Sequence, residues 1–224
     1  MCGRFLLAID PADLQDSFPQ FKFNIPINQR FNIAPTQPVL VVPNDSSFTA
    51  DYYTWGLIPS WAKDPSIGSR MINARAETLS EKPSFRGPFK HHRCLILSNG
   101  FYEWQKRPGS NAKKPFYIRL KTGKPFAFAG LWDEWHSPDG SQIKSCTIIT
   151  TIPNSLVAPI HDRMPVILPI DKYSIWLDPS SQSSTTFQDL LQSYPADEMI
   201  ASPVSSYVNN PANNGPDCLT GTEF

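Results

Sequence analysis

A single β-rich α+β domain, built around a mixed and partly closed sheet with few, short helices, is the architecture the sequence predicts. Three observations lead to it. The chain has 224 residues, enough for one domain with a sizeable core. Short apolar or alternating runs recur along it, separated by Pro, Gly, Asn and Asp. The 23 prolines leave little room for long helices, because proline lacks the N–H and its ring clashes with the preceding turn. No repeat, low-complexity block or linker divides the chain. Residues 1–224 therefore read as one domain whose end, 209–224, is loop-rich.

In chain order, "RFLLAI" (4–9) reads as a strand. "PADLQDSF" (11–18) reads as a helix, with proline near its start and acids in its first turn. "PVLVVP" (38–43) and "DYYTWGL" (51–57) are strands, and "MINARAETL" (71–79) is extended, so that Asn73, Arg75 and Glu77 alternate onto one face. Strands follow at "RCLIL" (93–97), "SNGFYEW" (98–104), "FYIRL" (116–120), "FAFAGLW" (126–132) and "CTIITTI" (146–152). Two short helices, "DKYSIWL" (171–177) and "TFQDLLQSY" (186–194), complete the set.

The net charge is zero, but its distribution is uneven: residues 60–121 hold 13 Lys and Arg against 4 Asp and Glu. Aromatics interleave with these cations (Trp61, Phe85, Phe89, Phe101, Tyr102, Trp104). That pairing suits the phosphates and unstacked bases of a single-stranded nucleic acid. It is also the signature of a solvated basic face over an aromatic core, the reading that composition alone favours. The N-terminus is too short and too acidic for a signal peptide, and no apolar run approaches the ~20 residues of a membrane span. A cytoplasmic protein, nucleoid-associated in a bacterium, with no membrane contact is expected.

Cys94, Cys146 and Cys218 are widely spaced with no Cys-x-x-Cys, which predicts neither disulfides nor a zinc site; Cys94 and Cys146 read as strand-core residues. G-x-G-x-x-G, Walker A, H-E-x-x-H and G-x-S-x-G patterns are absent, so nucleotide-cofactor, zinc-protease and α/β-hydrolase chemistry have no local support. His91 and His92 extend a basic run and suit a phosphate-facing surface, and His136 sits at an exposed turn.

Chemistry concentrates elsewhere. Cys2 stands one peptide bond from the chain start in "MCGRF". If Met1 is removed, which a small second residue permits, Cys2 presents a 1,2-aminothiol whose amine titrates near about 7.7–8.0 and whose thiol titrates near about 8.5. Glu103 lies between Tyr102 and Trp104, where apolar neighbours raise a carboxyl pKa, unless it faces solvent on the polar side of the strand. His161 in "PIHDRMPVIL" is held between prolines, either as a proton donor or simply as a loop histidine paired with Asp162. Asn73 and Arg75 on one face can hydrogen-bond a sugar and a phosphate.

Together, "MCGRF", "FNIAPTQ", "WGLIPSWAKD", "MINARAET", "PSFRGPFKHHRCLILSNGFYEW", "FAGLWDEW", "PIHDRMPVIL" and "VNNPANNGPDC" resemble, in order, the motifs of the SOS response-associated peptidase family of abasic-site processing proteins. The resemblance runs from Cys2 to about Cys218. It implies that the processed Cys2 reacts with the ring-opened aldehyde of an abasic site in single-stranded DNA. The product is a thiazolidine cross-link that shields the lesion, with associated strand-cleaving lyase activity and self-removal of Met1. On the same resemblance Asn73 orients the sugar and Cys2, Glu103 moves protons and His161 is the acid. Arg4, Asn32, Arg75, Arg86 and Arg163 contact DNA, and Trp55 and Trp61 form an apolar surface beside the lesion. No cofactor or metal is implied, a monomer is expected, and duplex is tolerated on one side of the lesion. Asn99 and "TTIPN" depart from the more common acidic forms at those places. Two other functions stay open at this point: a cysteine peptidase acting on other proteins, and a module that binds single-stranded or modified DNA without chemistry.

Overall fold

A computed structural model of the chain describes residues 2–106, 109, 112–180 and 184–221. Thirteen strands are described: β1 (Phe5–Leu7), β2 (Arg30–Ile33), β3 (Pro38–Pro43), β4 (Asp51–Trp55), β5 (Asn73–Arg75), β6 (Arg93–Ser98), β7 (Gly100–Lys106), β8 (Lys113–Leu120), β9 (Phe126–His136), β10 (Gln142–Thr151), β11 (Met164–Pro165), β12 (Ile167–Leu168) and β13 (Met199–Pro203). The α-helices are short: α1 (Pro11–Ser17), α2 (Pro83–His91), α3 (Tyr173–Leu177) and α4 (Ser184–Asp189).

The strands form two sheets. One is antiparallel, in the order β13-β8-β7-β1-β2. In the other, β10, β4, β3, β6 and β9 pair in that order, and β9 pairs back to β10 from His136↔Gln142 to Gly130↔Ile148, so five strands close into a barrel. Closure removes the exposed edges that an open sheet would present. The barrel is mixed because β10 runs parallel to β4 at Cys146↔Trp55 and then to β5 at Ile148↔Asn73. The segment between β4 and β5 makes this hand-over possible by leaving and rejoining the same edge of β10. It folds tightly at Gly56, where φ is 134° and a Cβ would stand 2.5 Å from the Gly68 carbonyl oxygen.

Between barrel and sheet lies an aromatic core. Phe5 meets Trp55 edge-on at 5.1 Å and Phe128 at 5.6 Å, and Phe101 also packs on Phe128. Cys94 and Cys146 are buried strand residues, as expected. The expected strands and three expected helices form, with β9 continuing to His136, beyond the "FAFAGLW" run. Not expected was α2, whose Gly87 and Pro88 argue against a helix. The helix is held by Arg93, which is fully buried and donates from Nε to Trp176 O, from Nη1 to Phe89 O and Lys90 O, and from Nη2 to Asp178 O. One guanidinium thus caps the C-terminal ends of α2 and α3. Arg93 therefore does not belong to the basic surface that the charge count suggested.

Candidate active site

Four chain segments converge where β10 ends. β5 pairs alongside Ile148–Thr150 and brings Asn73; β11 pairs with Thr150 and Thr151 and follows the loop carrying His161. β7 of the antiparallel sheet brings Glu103, and its pairing with β1 at Phe5↔Phe101 and Leu6↔Gly100 continues through Tyr102 N–H donating to Arg4 O. Carried one residue pair further, that register sets Gly3 opposite Glu103, with Cys2 next in line. The chain start is thus placed by strand pairing, which is how a terminal residue avoids the usual disorder.

Cys2 is fully buried. Asn73 Nδ2 donates to Cys2 O at 2.8 Å, and the Cys2 thiol lies 4.0 Å from Arg4 O. Burial, reinforced by the Glu103 charge, pushes the Cys2 thiol far above its ordinary range. The sequence reading, a thiol titrating at about 8.5, concerns the chain after Met1 is removed; the raised value belongs to the chain with Met1 attached. Met1 itself, and with it the expected processing step, lies outside the described residues, as do residues 222–224 of the C-terminal end. Glu103 is 2% exposed, and burial raises its carboxyl from 4.5 to about 7. Its Oε2 lies 3.9 Å from His161 Nε2.

Around His161 the backbone is fixed. Asn154 Oδ1 accepts from Leu156 N–H and Val157 N–H, and its Nδ2 donates to Tyr194 O. His161 N–H then donates to Val157 O. His161 Nδ1 faces two groups, the Arg163 N–H at 3.0 Å and the exposed Asp162 carboxylate at 2.9 Å. When Nδ1 accepts from the amide, Nε2 carries the proton and directs it toward Glu103. Burial lowers the His161 pKa, which favours this neutral form.

Arg163 Nη1 and Nη2 clasp Glu77 Oε1 and Oε2 at 2.7 and 2.9 Å, and Nη2 also donates to Thr150 O. This pair was missed from sequence, although the Asn73–Arg75–Glu77 alternation pointed to Glu77. The alternation is not realised beyond Arg75, because Ala76–Thr78 is a 3₁₀ turn that swings Glu77 toward Arg163.

The residues expected on the DNA side divide by burial. Arg75 and Arg86 are exposed, and Trp61 is 59% exposed. Trp61 sits on a fixed loop: Ile58 N–H donates to Ser145 Oγ, Ser60 N–H to Asp133 Oδ2, and Trp135 Nε1 to Ala62 O. Trp55 does not share that surface. It is fully buried against Phe5 and donates from Nε1 to Ile72 O, so it is a core residue tying β4 to the entry of β5.

Asn32 is also buried rather than DNA-facing. Its Nδ2 holds the carbonyls of Val208, Asn210 and Asn213, and its Oδ1 accepts from Arg4 Nη1 at 2.8 Å. Arg4, half-buried, also donates to Val208 O and lies 5.6 Å from the Trp104 ring centre. The C-terminal segment is therefore fastened behind Arg4 by these two side chains. Of the surface histidines, His136 is exposed and 3.2 Å from Glu134, while His92 stacks on Trp132 with 4.4 Å between ring centres. Among the described residues no group of three or more His, Cys, Asp or Glu is placed to hold a metal ion, and no helix is long and apolar enough to cross a membrane.

Comparison with known proteins bears on the family and the fold. The chain is 49% identical over 222 residues to abasic site processing protein YoqW of Bacillus subtilis (strain 168), covering 98% of this chain and 99% of that one. It is 37% identical over 199 residues to abasic site processing protein HMCES of Rattus norvegicus, covering 76% of this chain and 56% of that one. A crystal structure of a protein from Bacteroides thetaiotaomicron superposes with a TM-score of 0.88 at 26% identity, over 99% of this chain and 100% of the other. The family model described as SOS response associated peptidase (SRAP) matches residues 1–211, and the chain belongs to that family.

Proposed function

We propose that this protein processes abasic sites in single-stranded DNA by forming a covalent thiazolidine cross-link through Cys2 after Met1 is removed. The observation that carries this reading is the placement of residue 2: its carbonyl is held by Asn73 beside a buried carboxyl that titrates at about 7. Its relatives YoqW and HMCES are named as abasic site processing proteins, which fits an abasic sugar as the reactant.

The chemistry follows from the groups. The Cys2 amine, freed of its proton by Glu103, adds to the C1′ aldehyde. Glu103 returns that proton to the hydroxyl, which leaves as water and gives an imine. The thiol then adds across the C=N bond: sulfur bonds to carbon and its proton reaches nitrogen. The balance is one aldehyde and one aminothiol giving one ring and one water. Holding both nucleophiles on one residue makes the second addition intramolecular. A carboxyl near 7 suits both halves, because it gives and accepts a proton at neutral pH. The buried thiol stays protonated until the imine forms, which protects it from oxidation. His161 Nε2 donates toward the sugar, favouring the open aldehyde. β-Elimination from the imine, before sulfur closes the ring, accounts for an associated lyase activity, and the same groups serve release of Met1.

The test is intact mass after incubation with a single-stranded oligonucleotide carrying one abasic site. One heat-stable adduct on Cys2, lighter by one water than the sum of its parts, is the expected result. Peptide release without an adduct, or binding fully reversed by salt, would replace this reading.

A further inference from the structure

We infer that Glu77 is a positioning residue for His161, acting through Arg163, and that it does so at the expense of DNA affinity; this rests on the cross-linking reading above. Glu77 and Arg163 are 86 residues apart in sequence and form a two-point ion pair at 2.7 and 2.9 Å. The Arg163 head also donates to Thr150 O at 2.6 Å, at the end of β10 where Asn73 and Arg75 arrive. Its other end, the backbone N–H, donates to His161 Nδ1 at 3.0 Å. One residue thus connects the turn after β5 with the imidazole. A bidentate arginine–carboxylate pair fixes direction as well as distance. With the guanidinium held, the Arg163 amide stays aimed at Nδ1, and the proton stays on Nε2, 3.9 Å from Glu103 Oε2.

The alternative partner for Nδ1 is Asp162, at 2.9 Å with its side chain 89% exposed. If the Arg163 backbone shifts, Nδ1–H can donate to Asp162 instead. The Nε2 proton is then lost from the neutral ring, and the acid faces the wrong way. Holding the Arg163 amide in place biases the ring against this arrangement, because the N–H then competes with Asp162 for Nδ1. The same ion pair has a second effect, because Arg163 lies on the side where Arg75 is exposed and Glu77 occupies its fork. A phosphate meets a neutralised pair there rather than a cation. Glu77 therefore lowers affinity for DNA while raising the rate of the chemical step.

Opposite effects on binding and chemistry make the inference testable with Glu77→Gln. Gln keeps the shape and one hydrogen bond but lacks the charge and the second acceptor oxygen. Cross-linking at saturating abasic oligonucleotide should slow by about tenfold, less than the ~10²-fold that loss of an acid typically costs. Affinity for the same oligonucleotide with an intact base should be a few fold tighter, with a salt dependence steeper by about one phosphate contact, and unchanged affinity would overturn this half of the inference. In DNA-free protein, imidazole nitrogen shifts should report the Nε2–H form of His161 in the unaltered chain and a mixture in Glu77→Gln. Arg163→Lys, which keeps the charge but not the fork, should slow chemistry to the same degree, and the double variant should be no slower than either single one. An unchanged rate at saturation with an unchanged tautomer overturns the inference, as does a loss of affinity that accounts for the whole rate effect. If the unaltered protein forms no adduct at all, the cross-linking reading falls, and this inference with it.

Discussion

Two buried polar centres in this molecule are built in opposite ways. At Arg93 the guanidinium is fully buried, yet its donors reach four backbone carbonyls at the ends of α2 and α3. At the convergence of β5, β7 and β10, Asn73 Oδ1, Arg4 Nε and Arg163 Nε are buried without a hydrogen-bond partner among the described residues. Beside them, Glu103 carries a carboxyl raised to about 7. A satisfied buried network stabilises and specifies a fold, whereas unsatisfied groups cost free energy that a folded protein retains only where another use offsets it. The first centre is architecture, and the second is where the proposed chemistry is placed. Substitutions at each should therefore move different observables.

The largest effect is expected at Cys2. Cys2→Ala keeps the amine once Met1 is removed, so a transient imine and some strand cleavage should persist, but the heat-stable adduct should vanish. Borohydride trapping distinguishes the two products. A heat-stable adduct formed by Cys2→Ala without reductant would show that the ring does not involve this thiol, and the contrast between the two centres would lose its chemical half.

Glu103→Gln should come next, and its two consequences have opposite signs. Removing the proton carrier should slow cross-linking and its reversal by ~10²–10⁴-fold. Stability should rise. The folded carboxyl titrates at about 7 against 4.5 ordinarily, so between those values the native state holds a proton that the unfolded chain has lost. Native stability then falls as pH rises from about 4.5 to about 7 and is flat above. Gln has no such dependence, and above pH 7 Glu103→Gln should be the more stable protein by ~3 kcal/mol. Thermal unfolding at pH 5 and pH 8 checks this: the variant's advantage should be small at the first and several times larger at the second.

Arg93→Met reverses the pattern. The substitution keeps most of the side-chain volume but leaves four carbonyls without their donor, at a cost of ~3 kcal/mol. Cross-linking per folded molecule should stay within about twofold, since no atom of Arg93 takes part in moving a proton. A larger kinetic effect at full folding would mean that the α2 and α3 ends communicate with the site, and the two centres could no longer be treated separately.

What was legible in the sequence follows the same division. Strands show as alternation, so β1, β3, β4, β6, β8, β9 and β10 could be read, and so could Glu103 between its aromatic neighbours. Closure of the barrel could not, because the β9–β10 pairing and the hand-over of β10 from β4 to β5 are long-range facts. The α2 helix was hidden by Gly87 and Pro88, since the stabilising cap comes from Arg93 beyond its end. β13 was hidden by its unremarkable "MIASP" composition. Cys2, Asn73, Glu103 and His161 were found by chemistry and resemblance together, and the structure brings their segments to one place. Trp55 and Asn32 were placed on the DNA side by resemblance, and a matched motif position says nothing of burial. One fills the core, and the other spends its amide on three backbone carbonyls.

The smallest effects should belong to the exposed cations, which neither centre uses. Arg75 and Arg86 are exposed, Arg75 at the end of β5 only two residues from Asn73 and Arg86 on α2. In solution such groups contribute to DNA affinity mainly by releasing counterions from phosphates, an effect that carries no sequence information. Arg75→Ala and Arg86→Ala should each weaken binding by a few fold near physiological salt and lower the slope of log affinity against log salt by about one. Saturating cross-linking rates should stay near those of the unaltered protein. Proximity to the site makes Arg75 the sharper test, because a phosphate flanking the lesion also sets how the sugar enters. If Arg75→Ala slows the saturated reaction while Arg86→Ala does not, the reaction site extends to the first exposed cation beyond Asn73. Equal, purely salt-dependent losses at both positions would confine it to the buried groups.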